Sequence, residues 1–192
     1  MDSTIRYTAL NQQFIAGQWS NGSSAKTTIN INPYNQEQLN VFQNSSQADV
    51  DAAYQAAKAA QPLWEKTAPA ERQAVIQQLA QVITQRSEEI IDWLIQESGS
   101  TRLKASIELG AAQGIIKEAE TFPLRVNGEI LPTSVPHQDS RIYRKALGVI
   151  GVISPWNFPF HLSMRSVITA LALGNPVVLK PASDTTVTGG TL

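Results

Sequence analysis

Two short runs in the last quarter of the chain are apolar at almost every position: Gly148-Val-Ile-Gly-Val-Ile153 and Pro176-Val-Val-Leu179. A strand that meets water on one face alternates apolar with polar side chains. A run without alternation suits a parallel strand buried on both faces. Between the two, Phe160 to Leu173 has helical apolar spacing and stops at Gly174-Asn175. Strand, helix and strand within about 33 residues is the size of a βαβ unit. Its two strands point the same way, so their C-terminal ends share one rim, where open α/β sheets bind ligands. The first strand leaves that rim through Pro155-Trp-Asn157 and the second ends there at Lys180. An amide and an ammonium are thus expected within reach of one ligand.

Asn157 does not titrate near neutral pH, which makes it a poor acid or base. Its two N–H donors suit a carbonyl oxygen that becomes an oxyanion, provided they are already aimed. Pro155, Trp156 and Pro159 restrict the loop in that way. Asn is also a favoured N-cap, and spacing alone favours a cap for the helix starting near Phe160 over chemistry. Lys180, followed by Pro181, suits ribose hydroxyls or phosphate as well as it suits a solvated lysine on a strand end. Gly148-Val-Ile-Gly151 is only Gly-x-x-Gly, short of the dinucleotide fingerprint. His161 reads as a satisfied histidine at a helix start rather than a catalyst. His137 lies too far from it in sequence for a local metal pair.

Upstream, residues 1–13 read as a loose arm. Phe14 to Ser24 predicts a hairpin around Gly17 and Gly22, and Pro33 with Asn35 predicts a turn between two more strands. Ser46 and Asp49 form a capping signal ahead of an Ala-rich helix over Val50–Ala60. Thr67 and Pro69 open a second helix whose apolar face is Val75, Leu79 and Val82. A third spans Ser87 to Ser98, with Ile90, Ile91, Leu94 and Ile95 inward and Gly99 as its stop. A fourth spans about Thr101 to Glu120, ahead of Pro123. The four helices are expected to cover one face of a sheet and to carry their charges in solvent. Residues 125–147 alternate as a ribbon with at least one wet face, and Ser183 or Thr185 is expected to cap a further helix.

With 15 Lys and Arg against 16 Asp and Glu, and no basic block, nucleic acid and anionic membrane are poor partners. No apolar run reaches the roughly 20 residues that span a bilayer, and the start lacks a signal pattern, so a cytoplasmic home is expected. There is no cysteine, hence no disulfide, thiolate metal site or cysteine nucleophile within the chain.

The stretch GVIGVISPWNFPFHLSMRSVITALALGNPVVLKPASDT resembles the NAD(P)-dependent aldehyde dehydrogenase superfamily, and within it the bacterial aromatic-aldehyde group of benzaldehyde and vanillin dehydrogenases. Pro-Trp-Asn-Phe-Pro and Val-Leu-Lys-Pro at this separation carry the resemblance. FIAGQW, NPYNQEQL and AQPLWEKTAPAER extend it from about Gln12 to the end. It implies an α/β fold: the N-terminal part of a Rossmann-like cofactor-binding domain, incomplete, with a β-ribbon oligomerisation arm. Residues 14–124 would be its first strands and helices, 125–147 the arm, and 148–192 the start of the βαβ unit. The resemblance makes Asn157 the oxyanion stabiliser and Lys180 the ribose ligand. It sets Ile153, Ser154 and Trp156 along the edge of NAD or NADP, and Phe158 and Leu162 by the aldehyde tunnel.

Ser183 stands where many NAD-using members carry a glutamate, which leaves room for a 2′-phosphate and suggests use of both cofactors. Arg165 and Ser166 stand where many members carry an aromatic residue and a lysine. The cysteine nucleophile and glutamate base of the family reaction would lie beyond Leu192. The implied parent is a cytoplasmic homo-oligomer oxidising an aromatic aldehyde to its acid. The isolated chain is then expected to be inactive and poorly stable, because two parallel strands cannot bury each other's faces. The competing reading is an inactive remnant or accessory subunit.

Overall fold

The computed structural model describes residues 9–192; most of the expected arm, residues 1–8, lies outside the described residues. The strand pairs come first. β1 (Gln13–Ile15) and β2 (Gln18–Ser20) form an antiparallel hairpin that turns at Ala16-Gly17, with Phe14 opposite Trp19. Gly22 is not part of that turn: a Cβ there would lie 2.2 Å from the Asn44 carbonyl oxygen, so its role is close backbone approach. β3 (Thr27–Ile31) pairs with β4 (Gln38–Gln43) across the turn at Pro33 to Asn35.

The helical region begins as the capping signal predicts. Ser46 Oγ accepts from the Asp49 N–H, and the Asp49 carboxylate accepts from the Ser46 N–H at 2.8 Å. Asp49 also accepts from the Ser23 N–H and hydroxyl, tying the segment after the hairpin to the helix start. Those donors, the Ser46 N–H first, pull its carboxyl well below the usual range. α1 (Gln47–Lys66) runs on through Pro62, six residues beyond the expected Ala60. α2 (Pro69–Gln85), α3 (Ser87–Ser98) and α4 (Arg102–Ala119) follow, with Gly99 at φ 66° ending α3.

Two expectations are corrected here. The buried face of α2 is not Val75 and Val82, which are 49% and 44% exposed, but Ile76 and Ile83, with Leu79 packed beside them. Arg72 explains the one-residue rotation. It lies on the Ile76 stripe and points inward, donating to the carbonyls of Thr67, Glu65 and Ala172, so a charge hides the head of the true apolar face. The helices also do not share one sheet face. α4 packs on α2, on α3 and on α5 (Pro159–Ala172), and α2 also packs on α5, while α1 packs on β8 (Val177–Lys180). The main core therefore lies between helices, from Ile76 and Leu94 to Ile116 and Ile168. Ala105, Ala112 and Ala119 recur every seven residues along α4, all fully buried, and let α5 come close.

β5 (Glu129–Leu131) and β6 (Ser140–Ile142) pair antiparallel as a short ribbon that is exposed almost throughout. β7 (Ile150–Ile153) and β8 then pair in parallel around α5, so the βαβ unit is present. Its strands are not buried on both faces: Val152 is, but Ile153 is 82% exposed and Val177 to Leu179 are half-buried. Gly151 admits α1, since a Cβ there would meet the Tyr54 hydroxyl at 2.4 Å. Asn175 joins the ends of the unit. Its side-chain oxygen accepts from the Leu147 and Gly148 N–H groups at 2.6 and 3.1 Å, just ahead of β7.

Candidate active site

The parallel register sets Ile153 beside Lys180, and the Ser154 N–H donates to the Lys180 carbonyl at 3.0 Å. The two strands therefore reach one rim together, as the βαβ reading requires. Trp156, Asn157, Lys180 and Ser183 are exposed there, whereas Phe158 and Leu162 are half-buried behind them. Lys180 Nζ donates to the Pro181 carbonyl at 3.0 Å. Lys180 and Ser183 also line a groove of about 870 Å³ between β8 and the alanines of α1. An ammonium and a hydroxyl on one strand end, with no carboxylate at position 183, are a donor set that fits a ribose or phosphate.

Ser154 differs from its neighbours. Its side chain is buried, its hydroxyl lies 2.5 Å from that of Ser163, and Ser163 donates to the Gly189 carbonyl at 2.6 Å. The hydroxyl thus ties the strand end to α5 and the chain end. Arg165 and Ser166 lie exposed on α5.

The expected cap is overturned. The first intrahelical bond of α5 runs from the Leu162 N–H to the Phe158 carbonyl, which leaves residues 159 to 161 to be satisfied otherwise. Pro159 has no N–H. The Phe160 and His161 N–H groups both donate to one carboxylate oxygen of Glu108, at 2.9 and 3.3 Å. Every donor of the first turn is thus accounted for without Asn157, and the N-cap residue is Phe158, whose side chain caps nothing. Among the described residues, the Asn157 amide has no hydrogen-bond partner. The local competitor for that amide has been removed by a side chain from another helix.

Glu108 is fully buried, and its other oxygen accepts from Lys104 Nζ at 2.8 Å. The same ammonium lies 4.5 Å from the centre of the Phe158 ring. His161 stands at the helix start as expected, but it is not satisfied: its buried Nδ1 has no partner among the described residues.

A second buried glutamate performs the same task one helix away. Glu97, on α3, accepts from the Val187 N–H at 2.8 Å, the Thr188 N–H at 2.7 Å and the Thr188 hydroxyl at 2.6 Å. It also accepts from the Asn30 amide at 2.9 Å. Burial pushes its carboxyl above the usual value, against the pull of those donors. The caps expected from Ser183 or Thr185 are therefore not made; Ala182 stands at the start of that 3₁₀ turn, and the buried Thr185 hydroxyl has no partner among the described residues. The expectation that these helices carry all their charges in solvent is corrected by Glu97 and Glu108, both buried. The one available signal is spacing: Glu97 lies three residues after Leu94, and Glu108 lies between Ala105 and Ala112 on one helix face, all of them buried.

Comparison with known proteins gives the family and the fold. The aldehyde dehydrogenase family profile matches residues 19–192. A vanillin dehydrogenase of Corynebacterium glutamicum is 51% identical over 192 residues, 100% of this chain and 40% of that protein. A benzaldehyde dehydrogenase of Bacillus subtilis is 46% identical over 188 residues, 98% of this chain and 39% of the relative. The crystal structure of an NAD-dependent benzaldehyde dehydrogenase from Corynebacterium glutamicum superposes with a TM-score of 0.95, at 51% identity, covering 99% of this chain and 41% of that one. The chain thus spans about 40% of the length of these relatives.

Proposed function

Because the chain belongs to the aldehyde dehydrogenase family, we propose that it supplies the oxyanion donor and part of the dinucleotide site of an NAD(P)-dependent enzyme that oxidises an aromatic aldehyde to its carboxylic acid. The observation that carries this reading is the unpartnered Asn157 amide, exposed on a loop whose following helix is already capped by Glu108. An aldehyde oxygen gains negative charge as a thiolate adds to its carbon. An amide donor already in place lowers that barrier without reorganising. The chain has no cysteine, so the thiolate comes from outside these 192 residues; the family resemblance implies the same of the base that activates water.

Lys180 and Ser183 hold the adenosine ribose, and Ile153 and Trp156 flank the dinucleotide. Ser154 contributes by fixing the strand end. When bound, NAD(P) supplies the hydride acceptor. Phe158 and Leu162 line the approach of the aldehyde. The aromatic substrate class rests on the names of the relatives, a vanillin and a benzaldehyde dehydrogenase. Residues 14–124 and 148–192 serve as parts of the cofactor-binding domain. The exposed ribbon within 125–147 pairs copies into a homo-oligomer, in the cytoplasm.

A hybrid in which residues 1–192 are joined to the remaining part of the Corynebacterium glutamicum vanillin dehydrogenase tests this. It is expected to oxidise vanillin and benzaldehyde with NAD. Asn157→Ala is expected to lower kcat by about 10²- to 10³-fold, the usual cost of one oxyanion donor. A folded hybrid without activity, or an Asn157→Ala enzyme as fast as its parent, overturns the reading.

A further inference from the structure

Resting on the role given above to Asn157, we propose that Glu108 is the positioning residue for that side chain, with Lys104 as its counter-charge and as the support of the Phe158 ring. Helix α4 by itself gives no reason for this pair. Lys104 stands in the first turn, where the macrodipole disfavours a cation, and Lys before Glu is the weaker i,i+4 order. Glu108 is fully buried, where an unpaired carboxylate is costly. Its partners across space explain the placement: a carboxylate at the positive end of α5, receiving both free N–H groups of the first turn.

The segment 154–161 is then held on each side of Asn157. Before it, the Ser154 N–H is bonded to Lys180 and the Ser154 hydroxyl meets Ser163. After it, Phe158 lies under the Lys104 ammonium and residues 160 and 161 are bonded to Glu108. Without Glu108, the Phe160 N–H lies three residues after an asparagine, the spacing at which an N-cap side chain accepts. The Asn157 side chain would then turn back to cap its own helix and leave the rim. Glu108 thus acts by removing the alternative use of the catalytic amide.

The test uses the hybrid enzyme and a double-mutant cycle. Glu108→Ala is expected to lower kcat about tenfold or more. KM for NAD should stay within about twofold, because Lys180 and Ser183 are untouched. In the Asn157→Ala background the same change should cost less than about threefold, since there is no longer an amide to misdirect. Glu108→Gln keeps an oxygen that can accept from the Phe160 N–H and should recover most of the lost kcat. Fully multiplicative losses, or a Gln variant as slow as the Ala one, overturn the inference. If Glu108→Ala does not fold, Lys104→Met takes its place in the cycle, and independence from Asn157 overturns the inference in the same way. Hydrogen exchange of a peptide covering 158–163 separates the layers: a hybrid inactive from the outset, yet protected there, overturns the proposed function and this role with it. An active hybrid with independent losses overturns the positioning role alone.

Discussion

Glu97→Ala removes the acceptor that holds the last helical segment to α3 and β3. Four donors converge on that carboxylate, and they are not equally stranded by its loss. The Asn30 amide keeps the Asp184 carbonyl at 3.3 Å, and the Thr188 hydroxyl can rotate. The Val187 and Thr188 N–H groups have no such recourse, because both residues are buried and neither N–H lies in a regular helical bond. Leaving two buried donors unmet costs about 1–3 kcal/mol each. Part of this is offset, since the carboxyl itself no longer has to be kept out of water. A net local loss of about 3 kcal/mol follows, which is about 10²-fold in the opening equilibrium.

The assay is amide exchange by mass spectrometry on a peptide spanning 183–192 in the hybrid enzyme. Glu88→Ala serves as the control: its partner Arg102 is an exposed side chain, and such solvent-screened pairs contribute little to stability. Exchange across 183–192 should rise about 10²-fold in Glu97→Ala and stay within about twofold of the parent in Glu88→Ala. Equal exchange in all three proteins refutes the claim that Glu97 anchors this segment.

The pH dependence of Glu97 has a definite sign. Burial raises its folded carboxyl above the unfolded value of 4.5, so the folded state binds the proton more tightly than the unfolded one. Its contribution is complete below that unfolded value and is lost as pH rises through the raised folded value; thermal melts of the hybrid should show this loss, and Glu97→Gln should flatten it. Ile76→Ala should destabilise by about 2–5 kcal/mol and Val75→Ala by less than about 1 kcal/mol, readable as urea midpoints, and the reverse order would restore the face read from sequence. Ser183→Glu should weaken NADP more than NAD by about tenfold or more in a binding titration, since a carboxylate would face the 2′-phosphate; equal weakening of both defeats the dual-cofactor reading. The isolated 192-residue chain should aggregate or melt without cooperativity, because Ile153 is 82% exposed and its strand pairs with β8 alone among the described residues; a reversible monomeric melt refutes that.

The elements that were legible share a cause: their signals are local. Ser46 and Asp49 close their box within one turn, Gly99 supplies a left-handed C-cap, and the apolar runs of β7 and β8 announce a parallel pair. What sequence reasoning missed depends on a partner from elsewhere in the chain. Arg72 looks like a surface charge until the carbonyls of Thr67 and Ala172 are seen around it, and its presence moved the expected face of α2 by one residue.

The same cause governs the site. An asparagine three residues before an unmet N–H is, by every local rule, a cap. Whether it is one depends on who else reaches that N–H, and a carboxylate 52 residues earlier in the chain does. The buried glutamates of α3 and α4 thus answer two questions at once. They explain how helix starts without usable side-chain caps are stable inside the fold, and why the Asn157 amide has no partner among the described residues. On the proposed role of Asn157, the donor is kept for the aldehyde oxygen by residues that never meet it, Glu108 and Lys104.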